Sequence, residues 1–165
     1  MASSKAKWKR TALCLPPLIL ILLADRISKR WAADVLSPQG PVSAIPGVLG
    51  WRYAENTGVA FSAFSGAGAI VCVFTGLIIA AAAVWLMRHP ACGGWTGSGL
   101  TLIIAGGLGN LYDRVRFGYV IDFIELLFVR FAIFNAADIA VVSGAVCLAI
   151  GILKTEGKAR DPVSH

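Results

Sequence analysis

The stretch Gly106–Asp138, GGLGNLYDRVRFGYVIDFIELLFVRFAIFNAAD, sets three aspartates, Asp113, Asp122 and Asp138, beside the ends of two strongly apolar segments. A charged side chain at the middle of a spanning helix costs about 3 kcal/mol on insertion scales, so acidic residues in such company mark a candidate site. An antiparallel hairpin of the two apolar segments would bring Asp122 and Asp138 to one membrane depth. Fifteen residues lie between them, enough for the chain to turn back.

The composition supports this reading. Of 165 residues, 57% are hydrophobic and only 15% charged, and the mean hydropathy is +0.73. That balance belongs to a membrane protein. At about twenty apolar residues per crossing there is room for four spans, expected at 11–33, 66–87, 94–112 and 133–153. The expected fold class is an all-α integral membrane protein with four transmembrane helices, a small extracytoplasmic β platform and an interfacial loop segment. Residues 1–165 would form one membrane-embedded domain.

The net charge of +6 does not point to nucleic acid, because the basic residues lie at chain and span ends instead of forming a basic face with interleaved aromatics. Cys14, Cys72 and Cys147 sit in apolar spans and Cys92 in a Gly-rich turn, which reads as reduced packing thiols. His89 and His165 form no ligand pair, so no metal and no cofactor are expected.

Upstream, Lys5, Lys7, Lys9 and Arg10 precede an apolar run from Thr11 to Ala24 that leads into Asp25, Arg26, Ser28 and Lys29 instead of a cleavage site. It reads as an uncleaved first helix. The run rises only about 21 Å, so a crossing of about 30 Å must take in Asp25 and Lys29. These two share a helix face and can pair, with Arg26 and Arg30 snorkelling. Ser28 and Lys29 point apart, which disfavours a Ser–Lys dyad.

Residues 34–65 form an outer loop in which Pro38, Pro41 and Pro46 exclude a continuous helix. Val42, Ile45, Val48, Trp51 and Tyr53 suggest short strands, a platform on the membrane surface. NTGVAF (Asn56–Phe61) then joins an amide, the permissive Gly58 and an aromatic at the mouth of the second helix, which Arg88, His89 and Pro90 end. In the third span Gly97, Gly99, Gly106, Gly107 and Gly109 suit close helix contact. The mixed segment Asp113–Arg130 reads as interfacial. The fourth helix has Asn135 and Asp138 in its first turns, and Lys154, Lys158 and Arg160 close a polar tail. Basic flanks at both ends place both termini in the cytoplasm, against competition from Arg26, Lys29 and Arg30. The candidate chemistry then faces outward.

Two carboxylates about 3 Å apart cannot both ionise easily; they share a proton, one acting as base on a water and its neighbour as acid. The alternative for Asp122 and Asp138 is structural pairing with Arg116 or Arg130, and for Asp113 a helix-end ion pair with Arg114. Arg114 itself suits a site role, holding a substrate carbonyl or phosphate. Asn110 and Asn135 suit either capping or interhelical hydrogen bonding. A proton-coupled transporter would use similar residues, but no repeat is present and the polar residues gather at one interface. In a noncatalytic assembly protein the carboxylates would serve packing alone.

GGLGNLYDR (Gly106–Arg114), GYVIDF (Gly118–Phe123) and FNAAD (Phe134–Asp138), with NTGVAF and the DRISK of Asp25–Lys29 upstream, resemble in order and spacing the bacterial lipoprotein signal peptidases, or signal peptidases II. Leu108 and Val59 stand where alanine is usual in that pattern. The resemblance implies a membrane aspartic endopeptidase that cuts diacylglyceryl-modified prolipoproteins before the lipidated cysteine. It implies Asp122 and Asp138 as the catalytic pair, Asn56, Asn110, Arg114 and Asn135 as substrate-binding or site-shaping residues, and Asp25, Lys29, Gly58, Gly106 and Asp113 in support. It also implies sensitivity to globomycin-type inhibitors, contact with membrane lipid, and a monomer in the bacterial inner membrane with its active site near the extracytoplasmic face.

Overall fold

A computed structural model describes residues 14–58, 67–89 and 94–160. The basic stretch before Thr11, residues 59–61 of the NTGVAF motif, Pro90, Cys92 and His165 lie outside the described residues.

Helix α1 spans Leu15–Trp31 and opens on prolines in its first turn, where a missing N–H has no intrahelical acceptor to lose. It does not stop near residue 33. A π-helical turn, Ala32–Leu36, and a last α-turn, Ser37–Gln39, carry it on until Gly40 turns the chain at φ 83°. Pro38 is tolerated because it falls in the first turn of that final piece. The extension is held by packing: Ala32 and Leu36 are buried against Ile121, Phe123 and Ile124.

Strands β1 (Val42–Ile45) and β2 (Leu49–Asn56) form the expected platform hairpin, and helix α2 follows at Ala67–Arg88. Helix α3, Trp95–Phe117, runs five residues beyond the expected end at 112. Gly118 closes it in the left-handed conformation, its N–H donating to the Arg114 carbonyl. The segment expected as an interfacial loop is instead strand β3, Val120–Leu126, and helix α4 covers Ala136–Arg160. The polar tail thus begins as helix.

The sheet order is β1-β2-β3, antiparallel throughout. Ala54 faces Asp122 and Trp51 faces Ile124, so Arg52 and Tyr53 oppose Phe123 alone in a β-bulge. On its other edge β3 takes the segment before α4: Phe134 O accepts N–H bonds from Phe123 (3.0 Å) and Ile124 (2.8 Å), and Phe134 N–H donates to Ile124 O (3.1 Å).

Two helical stretches, Gly68–Arg88 and Ala136–Lys154, are long and apolar enough to cross a membrane. Only 6% of the apolar window in the first is buried, and Ile70, Val73, Phe74, Leu77 and Ile78 stand well exposed. Apolar surface of this extent calls for hydrocarbon as its solvent. Helix α3 lies at the centre, packed against α1, α2 and α4.

The α3–α4 crossing depends on two glycines. A Cβ on Gly99 would stand 2.7 Å from Gly144 O and Leu148 N, and one on Gly144 2.7 Å from Gly99 O. Backbones this close permit no side chain between them. Gly99→Ala is expected to destabilise the protein by about 1–3 kcal/mol through forced separation. Gly76→Ala, where nothing lies within 4 Å of the new Cβ, is expected to be neutral or stabilising by up to about 1 kcal/mol. Unfolding in detergent micelles measures both, and equal stabilities for the two variants would refute the close crossing.

Candidate active site

The start of α4 is built by a reciprocal cap. Asn135 Oδ1 accepts the N–H of Asp138 at 3.0 Å, and Asp138 Oδ2 accepts the N–H of Asn135 at 3.1 Å. This capping-box exchange satisfies two otherwise orphaned donors and fixes both side chains. The Phe134 bridge then sets Asn135 beside β3, and its Nδ2 donates to Asp122 Oδ1 at 2.6 Å. Asn135 therefore grips both carboxyl groups at once.

Other amides complete the shell. Asn56 Nδ2, at the end of β2, donates to Asp122 Oδ2 at 2.9 Å, while Asn110 Nδ2 on α3 donates to Asp138 Oδ1 at 2.7 Å. Asn135 Nδ2 also lies 3.1 Å from Asn110 Oδ1 and 3.3 Å from Ile121 O. Asp122 and Asn135 are almost wholly buried, whereas Asp138 is half-buried. Burial pushes the Asp122 carboxyl above the ordinary carboxylate range; the Asn56 and Asn135 hydrogen bonds and the Lys29 charge oppose this, and the Asp138 charge adds to it.

Behind the amides lies an ion quartet in which Asp25, Lys29 and Asp113 are buried and Arg26 is partly exposed. Lys29 Nζ stands 3.0 Å from Asp25 Oδ1 and 2.8 Å from Asp113 Oδ2, and donates to Asn110 Oδ1 at 2.8 Å. Arg26 reaches Asp113 Oδ1 and Asp25 Oδ2, each at 2.6 Å, and Gly109 O at 3.0 Å. Two cations thus match two anions, with Tyr112 packed on the guanidinium 4.7 Å away. Among the described residues no three His, Cys, Asp or Glu side chains converge as metal ligands.

The signal peptidase II family model matches residues 18–154. The chain belongs to the signal peptidase II family. It is 39% identical over 142 residues to a lipoprotein signal peptidase of Streptococcus agalactiae, covering 85% of this chain and 92% of that one. A lipoprotein signal peptidase of Gloeobacter violaceus is 35% identical over 144 residues, with 87% and 83% covered. A solved bacterial membrane enzyme superposes with a TM-score of 0.81 at 25% identity, covering 93% of this chain and 95% of the other. A second gives 0.79 at 27% identity, with 87% and 94% covered. Signal peptidase II membership makes the chain a peptidase, and the structural neighbours are membrane enzymes.

In this signal peptidase II, Asn56, Asn110, Asp122, Asn135 and Asp138 meet in one hydrogen-bonded group. The amides of Asn110 and Asn135 link the two carboxyl groups, and no direct hydrogen bond between them stands among the described residues. Nor does a salt bridge tie either to Arg116 or Arg130. Asp113 pairs with Arg26 and Lys29, not with Arg114. Arg114 Nε is buried with no hydrogen-bond partner among the described residues and faces Gly58, whose φ is +73° and whose N–H donates to Asn56 Oδ1 at 2.8 Å. Gly106 lets α3 meet the backbone of Ala137 in the first turn of α4.

Arg26 is the residue that sequence reasoning missed. Expected to snorkel, it turns inward, while Arg30 remains at the surface 3.3 Å from Asp34. Charge balance was the available signal, since buried Asp25 and Asp113 need a second cation besides Lys29.

The upward shift of Asp122 has a stability consequence. Its folded-state pKa exceeds the unfolded one, so the native state binds more protons and loses stability as the pH rises through that window. Asp122→Asn is therefore expected to melt above wild type at pH 7, with the gap closing as the pH falls toward about 4. Thermal unfolding across pH measures it, and a variant less stable than wild type at pH 7 would contradict the burial argument.

Proposed function

We propose that the chain removes signal peptides from diacylglyceryl-modified prolipoproteins, cutting before the lipidated cysteine, with Asp122 and Asp138 as an aspartic dyad and water as nucleophile. The observation that carries this is Asn135, which holds Asp122 by its side chain and Asp138 through the helix cap. Family membership supplies the peptidase activity that the geometry must serve.

In this reading Asp122, whose carboxyl burial shifts upward, is assigned the role of proton donor. Asp138, receiving N–H bonds from Asn110 and Asn135 at a helix N-terminus, is the base. A water placed between them gives a proton to Asp138 as its oxygen attacks the scissile carbonyl carbon. Asp122 gives its proton to the carbonyl oxygen. The tetrahedral intermediate then collapses: the proton held by Asp138 passes to the leaving nitrogen, the C–N bond breaks, and a proton returns to Asp122 as the carbonyl re-forms. Arg114, whose Nε has no hydrogen-bond partner among the described residues, and Asn56 hold the substrate backbone or lipid-linked segment.

In this reading α1 to α4 are four spans of one peptidase domain in the bacterial inner membrane, with both termini cytoplasmic. The sheet rests at the extracytoplasmic face, where water and a bilayer-confined substrate meet. The enzyme acts as a monomer in contact with lipid, and globomycin-type inhibitors occupy the same site.

Purified protein in detergent is expected to cleave a diacylglyceryl-modified prolipoprotein before the lipidated cysteine. Asp138→Asn, at equal folded concentration, is expected to lose at least about a hundredfold in kcat while still binding substrate. Equal cleavage by both proteins would remove Asp138 from the reaction. Absence of wild-type cleavage where the Streptococcus agalactiae relative cuts would overturn the functional reading.

A further inference from the structure

Asn110 is 8% exposed and lies between Lys29 and Asp138. A primary amide offers an acceptor on one side and two donors on the other, so its orientation decides which chemistry each neighbour meets. An ammonium offers only donors. Lys29 Nζ, 2.8 Å from Asn110 Oδ1, selects the oxygen and leaves the NH2 to Asp138 Oδ1 at 2.7 Å. Asn135 cannot make that selection alone. Its two amide hydrogens meet three acceptors, and the nearest is Asp122 Oδ1 at 2.6 Å, against 3.1 Å for Asn110 and 3.3 Å for Ile121 O.

We propose that Lys29 is a positioning residue for the dyad: it fixes the Asn110 amide so that a donor, and not an acceptor, faces Asp138. Turned over, Asn110 would set its NH2 against an ammonium and its oxygen against a carboxylate, at a residue only 8% exposed. This role rests on the aspartic reading above. It is separable from the second duty of Lys29, as counter-ion to Asp25 and Asp113. The charged groups around the network are Asp25, Arg26 and Lys29 from α1, Asp113 and Arg114 from α3, Asp122 from β3 and Asp138 from α4.

Lys29→Met alone leaves a buried carboxylate uncompensated and invites misfolding. The double variant Lys29→Met/Asp25→Asn keeps the net charge, leaving Arg26 with Asp113, and removes the donor to Asn110. It is expected to melt within a few degrees of wild type, yet to lose at least about tenfold in kcat with KM changed less than about twofold. The limb of its pH profile that reports the ionised dyad is expected about one unit higher, because the donor that favours ionisation is lost. Lys29→Arg, which keeps a donor-only cation, is expected to hold the wild-type profile. A double variant with wild-type kcat and pH profile would reduce Lys29 to a counter-ion and overturn the proposal. If the double variant does not fold, Asn110→Ala decides: unchanged kcat and pH profile there would overturn it equally. Asp122→Asn and Asp138→Asn in the same assay separate the two readings, since activity in those variants sinks the dyad itself, whereas their inactivity beside a wild-type-like double variant sinks only the role of Lys29.

Discussion

A carboxylate removed from water must be met by donors, and the arrangement of this chain follows from how that demand is met for Asp25 and Asp113, both 0% exposed. Arg26 and Lys29 meet it together, reaching from α1 to partners on α3 that lie 81 to 87 residues further along the chain. Breaking one side of such a buried pair costs about 3–5 kcal/mol, so these contacts specify how the two helices align. Asp113 Oδ2 also lies 3.4 Å from the N–H of Ile121, which brings the start of β3 to the same place. Once α1, α3 and β3 are registered in this way, Asn110 and Asp122 have no freedom left to be elsewhere.

The carboxyls of Asp122 and Asp138 are held differently from those of Asp25 and Asp113. Asp25 and Asp113 are paired with cations, while Asp122 and Asp138 are held by neutral amides and one backbone N–H. A cation in direct contact would hold a carboxylate ionised, and a dyad needs one member that can carry a proton. Amides fix geometry with a weaker electrostatic bias. Lys29 is the point at which the two groups touch, through an amide oxygen.

Much of this was legible in the sequence because the ordered motifs around Asp122 and Asp138 identify the family, and the platform strands carry hydrophobic residues at strand spacing. Two of the misread parts share a physical cause: charge was taken as a sign of water. Asp113 looked like the end of α3, yet it is buried with two counter-ions and the helix runs on to Phe117. Arg26 looked like a snorkelling residue for the same reason. Strand β3 was hidden because Val120–Ile124 is buried on both faces and shows no alternation; its second neighbour, Phe134, is invisible to any local pattern. The length of α1 depended on Ala32 and Leu36 meeting β3, a contact between distant parts of the chain.

The Phe134 bridge also bears on biosynthesis. Asn56, Asn110 and Asp122 belong to elements completed before α4, but Asp138 and the amide that grips both carboxyls enter only with its first turn. The charge pairs and β1 to β3 all lie in chain that is synthesised before Asn135 and Asp138. The amide-linked carboxyl pair is complete only where the final helix packs through Gly99 and Gly144 and its leading segment pairs with the sheet. A chain that stops before Asn135 holds Asp122 and Asn56 but neither Asp138 nor the amide that joins the two carboxyls.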